Sequence, residues 1–455
     1  MKIIIPPIYE RENIDFTLDE YDFFKRKKFI NNLTELFKNT SDGLVITIDS
    51  QWGGGKTSLI KVWEKALSLE EQFIPIYYDA FKNDFTQDAF LSIAVVIHEA
   101  LKLEIIKSGD DPRNKSQLSA LKKQTVAITV ESLKVITNAS SGAILAAWGI
   151  PSSITKPISK FINKLLFGTL EHNAEEKFNA HLSLKKNIEE YQTQLRNLLT
   201  AENSNVKKKI VFFVDELDRC RPNFAIEVIE KIKHLFSTEN VFFVLAINKQ
   251  QLIDIIGHSY GINKSNAEIY LQKFIHIETK LPTLDYSTNT QDTLNVKIRK
   301  FVDQLIKLHD IEKYFNGRND AKIAIINLLA TFNDPLITPR AIERVFSLIT
   351  VALGSSEGSI RDDSQAFNVL CNMAVLKVSA PHLYEGWKSG VFVDLQNSTL
   401  DGKIFHQLEN NFPNREKDQQ DNKFIVKKTD YVCGILDIYT FYKTVTSSVS
   451  MSWNG

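Results

Sequence analysis

An α/β fold, with a mostly parallel sheet in a three-layer core and a helical region after it, is predicted by three features of the sequence. Buried-strand runs stand at Leu44–Ile48, Phe73–Tyr78, Ile210–Val214 and 241–248, and the first three each precede a stretch of helical periodicity. A glycine-rich turn joins the first strand to its helix. Beyond about residue 290 the chain reads almost wholly as helix.

Taken in order, residues 18–38 carry Phe29, Leu33, Leu36 and Phe37 at helical spacing. The KRKK run at 25–28 reads as a solvated face of that helix, with nucleic-acid contact as its alternative. Strand Leu44–Ile48, the glycine turn and helix Ser58–Leu69 follow, then strand Phe73–Tyr78 and a helix around Asp88–Ile106. Residues 107–205 read as an insertion: they open on the polar linker KSGDDPRNKSQ and hold no clear strand. Within them, 139–168 is the most apolar part. Pro151 and Pro157 interrupt it and Lys156, Lys160 and Lys164 stud it, so no membrane span is expected. Residues 154–166 form an amphipathic pattern, suited to packing on the same domain or to a partner or membrane surface. The predicted division is 1–106 with 206–290 as the core, 107–205 as a helical insertion and 291–455 as a C-terminal helical domain.

Composition narrows the function. The 455 residues suffice for two or three domains. Lys plus Arg and Asp plus Glu number 55 each, so no net field draws the molecule to nucleic acid or anionic lipid. Cys220, Cys371 and Cys433 lie far apart, which suits a reducing compartment. The histidines show no H-E-x-x-H and no cluster with cysteine, which argues against a transition metal held by the protein. The apolar run at the start is too short for a signal peptide, and a cytoplasmic location is expected.

The turn Ser50-Gln51-Trp52-Gly53-Gly54-Gly55-Lys56-Thr57 follows a buried strand and opens a helix, the context a phosphate-binding loop requires. Glycines let successive N–H groups face a phosphate, and the helix adds its positive end. Trp52, Gly53, Gly54, Gly55, Lys56, Thr57 and Ser58 are the expected nucleotide-binding residues. Lys56 would neutralise the β- and γ-oxygens, and Thr57 would hold Mg²⁺ through its hydroxyl. Ser50 departs from the motif, where glycine is usual and φ above zero is easily adopted. Such a loop needs an acid at the tip of a neighbouring buried strand, and Asp215-Glu216 after Ile210–Val214 supplies it. Asp215 would orient Mg²⁺ and Glu216 would act as general base toward water, a pairing that points to hydrolysis rather than binding alone. Asn248, directly after the next apolar strand, could sense the γ-phosphate or simply end the strand in a turn. No N-K-x-D guanine motif occurs there, because Gln250 and Gln251 follow Asn248-Lys249, and this favours ATP over GTP.

Together these segments resemble the KAP family of P-loop NTPases. The loop DSQWGGGKTSL is similar to the family's G-x-W-G-x-G-K-T-S-L, with Trp52 inside it, and IYYDAFKND is similar to its Asn-Ala-Trp-Lys segment. VDELDRCRPNFAIEVIEKIKHLF is the most specific match, and FVLAINKQQL with YLQKFIHIETKLP extends the similarity over roughly residues 15–285. ITPRAIERV at 337–345 resembles the Arg-bearing helix start of the family's helical lid. The resemblance implies a doubly wound core, and Lys56, Thr57, Asp215 and Glu216 as the active site with Asn248 as sensor. For charge stabilisation it implies Arg340, with Arg344 next. Arg219 and Arg221 could act on a neighbouring subunit's nucleotide. Each arginine's alternative is an ion pair within its own domain, and Asp218 reads as structural. Soluble bacterial members resemble components of anti-phage defence. The expected function is a Mg²⁺-dependent ATPase working as a conformational switch or assembly ATPase, as a homo-oligomer with a protein effector partner. A nucleic-acid-stimulated motor or clamp is the alternative, which the neutral charge disfavours.

Overall fold

The computed structural model describes residues 1–3, 26–86, 88–109, 111–136, 174–200, 207–235, 238–282, 291–331, 338–356, 359–389, 432–433 and 436–437. The apolar segment 139–168 and its amphipathic stretch 154–166 lie outside them. No helix among the described residues is long and apolar enough to cross a membrane.

The chain divides into two compact units, one of which comprises Arg26–Gln51 and Lys56–Leu281. Its elements are α1 (Arg26–Asn39), β1 (Leu44–Asp49), α2 (Lys56–Ser68), β2 (Phe73–Asp79), α3 (Ala80–Asn83), α4 (Ala89–Lys107), α5 (Pro112–Ile136) and α6 (Ala174–Leu199). There follow β3 (Lys209–Asp215), α7 (Pro222–Leu235), β4 (Val241–Ile247), α8 (Lys249–Tyr260), α9 (Lys264–Gln272) and β5 (Ile277–Lys280). The five strands form one parallel sheet in the order β2-β3-β4-β1-β5.

Both central strands, β3 and β4, are buried at every residue, as their unbroken apolar runs require of strands covered on both faces. Alternation sends Phe212 and Phe213 to opposite faces. Phe213 meets Trp63 of α2, with ring centroids 5.1 Å apart, and Phe37 of α1 stacks on Phe242 at 4.5 Å. Phe212 meets Phe243 at 5.2 Å and Tyr78 at 5.6 Å, inside the cluster that α4 and α7 complete through Phe90, Ile97, Val228 and Ile229. Each such side chain contributes about 1.5–3 kcal/mol by leaving water, and together they make three layers. In the predicted insertion, α5 and α6 pack on each other and join this core through Leu121, Ile128, Tyr191 and Leu195.

Two features differ from the sequence reading. β4 lies between β1 and β3, so the acid-bearing strand is not the immediate neighbour of the strand that feeds the loop. β5 is a strand that periodicity does not mark. Its four residues, IETK, sit at the sheet edge and alternate between half-buried and exposed. Long-range contacts hold it there: Nδ1 of His276 accepts from the Val45 N–H at 2.9 Å, and the Thr279 hydroxyl donates to the Thr47 carbonyl at 2.6 Å.

The other unit takes the described residues from Pro282 onward, with residues 1–3 and Trp52–Gly55. It holds α10 (Gln291–Leu308), α11 (Glu312–Phe315), α12 (Asn319–Thr331), α13 (Pro339–Ser355), α14 (Ser359–Asp362), α15 (Ser364–Ser379) and α16 (Pro381–Ser389), and no strand among its described residues. Thr338 caps α13 by accepting from the Ala341 N–H at 3.2 Å, with Pro339 opening the helix. Phe346, Phe367, Leu370 and Met373 are wholly buried at its centre.

Candidate functional site

Parallel strands that end at one level place their last residues side by side, and here three of the five, β1, β2 and β3, end in an aspartate. Asp79 is level with Asp215, Asp215 with Ala246, and Asp49 with Ile247. The intervening β4 leaves the tips of β1 and β3 two strand spacings apart, roughly 10 Å. Side chains cross that distance. Thr57, in the first turn of α2, brings its hydroxyl near the Asp215 carboxylate and favours its charged form. Asp215 is 1% exposed and also accepts from the Tyr77 hydroxyl at 3.2 Å and the Glu216 N–H at 2.9 Å. Burial pushes its carboxyl above the usual range, while Thr57, the Glu216 N–H and Lys56 pull it back.

The loop draws its shape from its glycines. Gly53 and Gly55 have φ of 81° and 89°, which only glycine adopts freely. Ser50 is not among the residues with positive φ, so its departure from the motif imposes no strain. Gly53 belongs with the helical unit, where the Arg340 N–H reaches its carbonyl at 3.4 Å and an added Cβ would meet Thr338 Oγ1 at 2.9 Å. Trp52 is half exposed. Lys56 is buried and donates to the Ser50 and Gln51 carbonyls at 2.6 and 3.3 Å. Burial lowers its affinity for the proton, and the carboxylates of Asp218, Asp215, Glu216 and Asp49 oppose that shift.

Glu216 turns the chain sharply out of β3 with φ 60° and ψ 21°, a left-handed backbone that a glutamate adopts at a cost. The Arg219 N–H closes the turn on the Glu216 carbonyl at 3.1 Å, and the Arg219 guanidinium pairs with the Glu216 carboxylate. Burial first, then Asp215, push the Glu216 carboxyl up to about 7, against the pull of Arg219. Arg221 is also engaged within its unit, donating from its main chain and from Nε to the Asp84 carboxylate at 2.8 Å each. Asn248 caps α8, its Oδ1 accepting from the Gln251 N–H at 3.4 Å. Ser58 continues α2 after Thr57, while Arg344 lies on α13 one turn beyond Arg340.

Several residues of this edge escape sequence reasoning. Tyr77 holds Asp215 and carries the Lys61 ammonium 3.2 Å from its ring centroid. Asp49 accepts from the Lys249 N–H at 2.8 Å and so ties the start of α8 to the tip of β1. Their only local signal is position at or near a strand's carboxyl end, which becomes meaningful once register is known.

A buried ammonium, a glycine turn and a helix start suit a polyphosphate. Thr57 and Asp215, side by side as hard oxygen donors, fit Mg²⁺ rather than a softer metal.

A family model, the KAP family P-loop domain, matches residues 26–353. The phage T7 exclusion protein of Escherichia coli strain K12 is 22% identical over 348 residues, which is 75% of this chain and 42% of that protein, so the chain spans less than half of its relative. Among solved structures, the ORC2 protein of Aeropyrum pernix in its ADPNP–ADP complexes covers 95% of this chain and 97% of its own, at 11% identity and a TM-score of 0.30.

Proposed function

The chain belongs to the KAP family of P-loop NTPases, and from that premise we propose that it is a Mg²⁺-dependent ATPase. The observation that carries the proposal is the nearness of the Thr57 side chain to the Asp215 carboxylate, because it brings the start of the loop helix and the acidic strand tip to one place. Lys56 leaves the Ser50 and Gln51 carbonyls for the β- and γ-phosphate oxygens. Thr57 and Asp215 would hold the metal, whose charge would offset that of the triphosphate. Trp52 to Ser58 wrap the phosphates. Glu216 takes a proton from water as its oxygen bonds to the γ-phosphorus, and the bond to the bridging oxygen breaks with ADP as leaving group. Asn248 meets the γ-phosphate through its Nδ2, and Arg340, with Arg344 next, supplies positive charge.

In this reading the helical unit reports nucleotide state to a protein effector, and the ATPase works as a switch or assembly ATPase in the cytoplasm. Similarity to a phage exclusion protein supports a role in anti-phage defence. Glu216→Gln tests the chemistry: nucleotide binding is kept while turnover falls by roughly 10²-fold or more. Hydrolysis at the wild-type rate would remove Glu216 from the mechanism. Light scattering tests the switch, since assembly should differ between apo, ATP-analogue and ADP states. A monomer unchanged in all three contradicts it. Protection of cells against a phage panel, lost in Lys56→Ala, is expected of a defence role.

A further inference from the structure

We propose that Arg219 is a positioning residue for hydrolysis: from within the same chain it aims the carboxylate of Glu216. The inference rests on the reading of Glu216 as general base and adds the group that orients it. Two independent constraints close on the same four residues. The first is in the main chain, where Glu216 is held left-handed at φ 60° and its carbonyl accepts from the Arg219 N–H at 3.1 Å. The second is in the side chains, where the Arg219 guanidinium pairs with the Glu216 carboxylate across that same turn.

A glutamate side chain in water samples many rotamers, and a general base must stand within hydrogen-bond reach of the water it activates. The backbone turn sets the direction of the Cα–Cβ bond. The ion pair then limits the remaining side-chain torsions. Glu216 and Arg219 are 20% and 25% exposed as side chains, so the pair is only partly screened by water. A neighbour of fixed planar shape is suited to this task, because guanidinium Nε–H defines a direction as well as a charge. The geometry also separates two roles open to this arginine from sequence. A residue that reaches into another subunit's nucleotide would have to abandon its own glutamate. In this structure the Arg219 guanidinium is engaged by its own glutamate.

A double-mutant cycle decides the matter, using the full chain, Mg²⁺ and ATP. Arg219→Gln should lower kcat roughly 10-fold while KM and nucleotide affinity stay within about 2-fold, and Arg219→Lys should recover part of the loss. On a Glu216→Gln background the same change should cost nothing further, since there is no carboxylate left to aim. Losses that multiply would overturn the inference and return Arg219 to a role apart from Glu216. A rise in kcat for Arg219→Gln would overturn it too, by making the ion pair a restraint. If Glu216→Gln alone turns over as wild type, the assignment of the base fails and this inference with it. Thermal melting and nucleotide binding of each variant confirm that it is folded.

Discussion

Lys56 and Lys209 are each 8% exposed, each donates to main-chain carbonyls, and they stand at opposite ends of the parallel sheet. At the carboxyl ends, Lys56 has two loop carbonyls and lies in the field of Asp218, Asp215, Glu216 and Asp49. At the amino ends, Lys209 holds the Phe37, Lys38 and Thr40 carbonyls at 2.6, 2.7 and 3.0 Å, closing the C-terminal end of α1. Burial lowers the proton affinity of both, but carboxylates oppose it at Lys56, while at Lys209 the neighbouring Lys207 adds to it. In the proposed function the difference separates a lysine that exchanges its partners for a ligand from one whose partners end a helix. Lys56→Ala gives the largest expected effect and the sharpest way to break the comparison. Nucleotide affinity should fall at least about 100-fold, or about 2.7 kcal/mol, by calorimetry. The melting midpoint of the nucleotide-free protein should barely move. If instead that midpoint collapses and binding survives, the two lysines have been given each other's roles.

The part of this contrast that sequence could reveal is the part built from neighbours along the chain. A strand, glycines and Lys56-Thr57 follow one another within fourteen residues from Leu44 to Thr57, and Asp215-Glu216 directly ends the buried run of β3. Those residues could be found because local order alone gives them meaning. Lys209 could not, since its partners lie at and just after the end of α1, more than 160 positions away in sequence. The same reason hid Tyr77, whose hydroxyl finds Asp215 only through strand pairing, and β5, which pairs with β1 across more than two hundred intervening residues. It also hid the insertion of β4 between β1 and β3, because strand order is not written in periodicity. Arg219 is a different case. Its i+3 spacing from Glu216 was visible, but the left-handed backbone that brings their side chains together was not.

His309 extends the comparison to a buried base with neither an exchangeable partner nor a helix end to close. It is wholly buried, its Nδ1 lies 2.7 Å from the Lys2 carbonyl, and it stacks on Phe346 with ring centroids 6.3 Å apart. Burial depresses its proton affinity to about 4, against the contrary effect of the Lys2 carbonyl. A folded-state value below the unfolded one of about 6.5 means that the unfolded chain binds the proton first. The stabilisation is therefore complete above about pH 6.5 and is lost as pH falls toward 4, by about 3 kcal/mol at most. Denaturant unfolding of His309→Gln beside wild type should show this segment of the pH dependence flattened. Parallel curves across pH 4–6.5 would show that His309 titrates in the folded protein as it does in the unfolded one.

The smallest expected effect tests the quieter of the two lysines. Lys209→Met keeps much of the apolar stem that β3 buries but removes three donors from the end of α1. Some of those carbonyls can turn to water, so the net loss should be about 2 kcal/mol, not three full hydrogen bonds. In a unit of this size that lowers the melting midpoint by roughly 4–8 °C. Nucleotide affinity should remain within about 2-fold, because α1 and the amino ends of the strands do not face the phosphates in the proposed reaction. An equal stability loss accompanied by a large fall in affinity would mean that α1 transmits strain to the loop through Trp63 of α2, on which Phe37 stacks at 5.7 Å. The two ends of the sheet would then act as one device, and the separation of binding from support drawn between Lys56 and Lys209 would not hold.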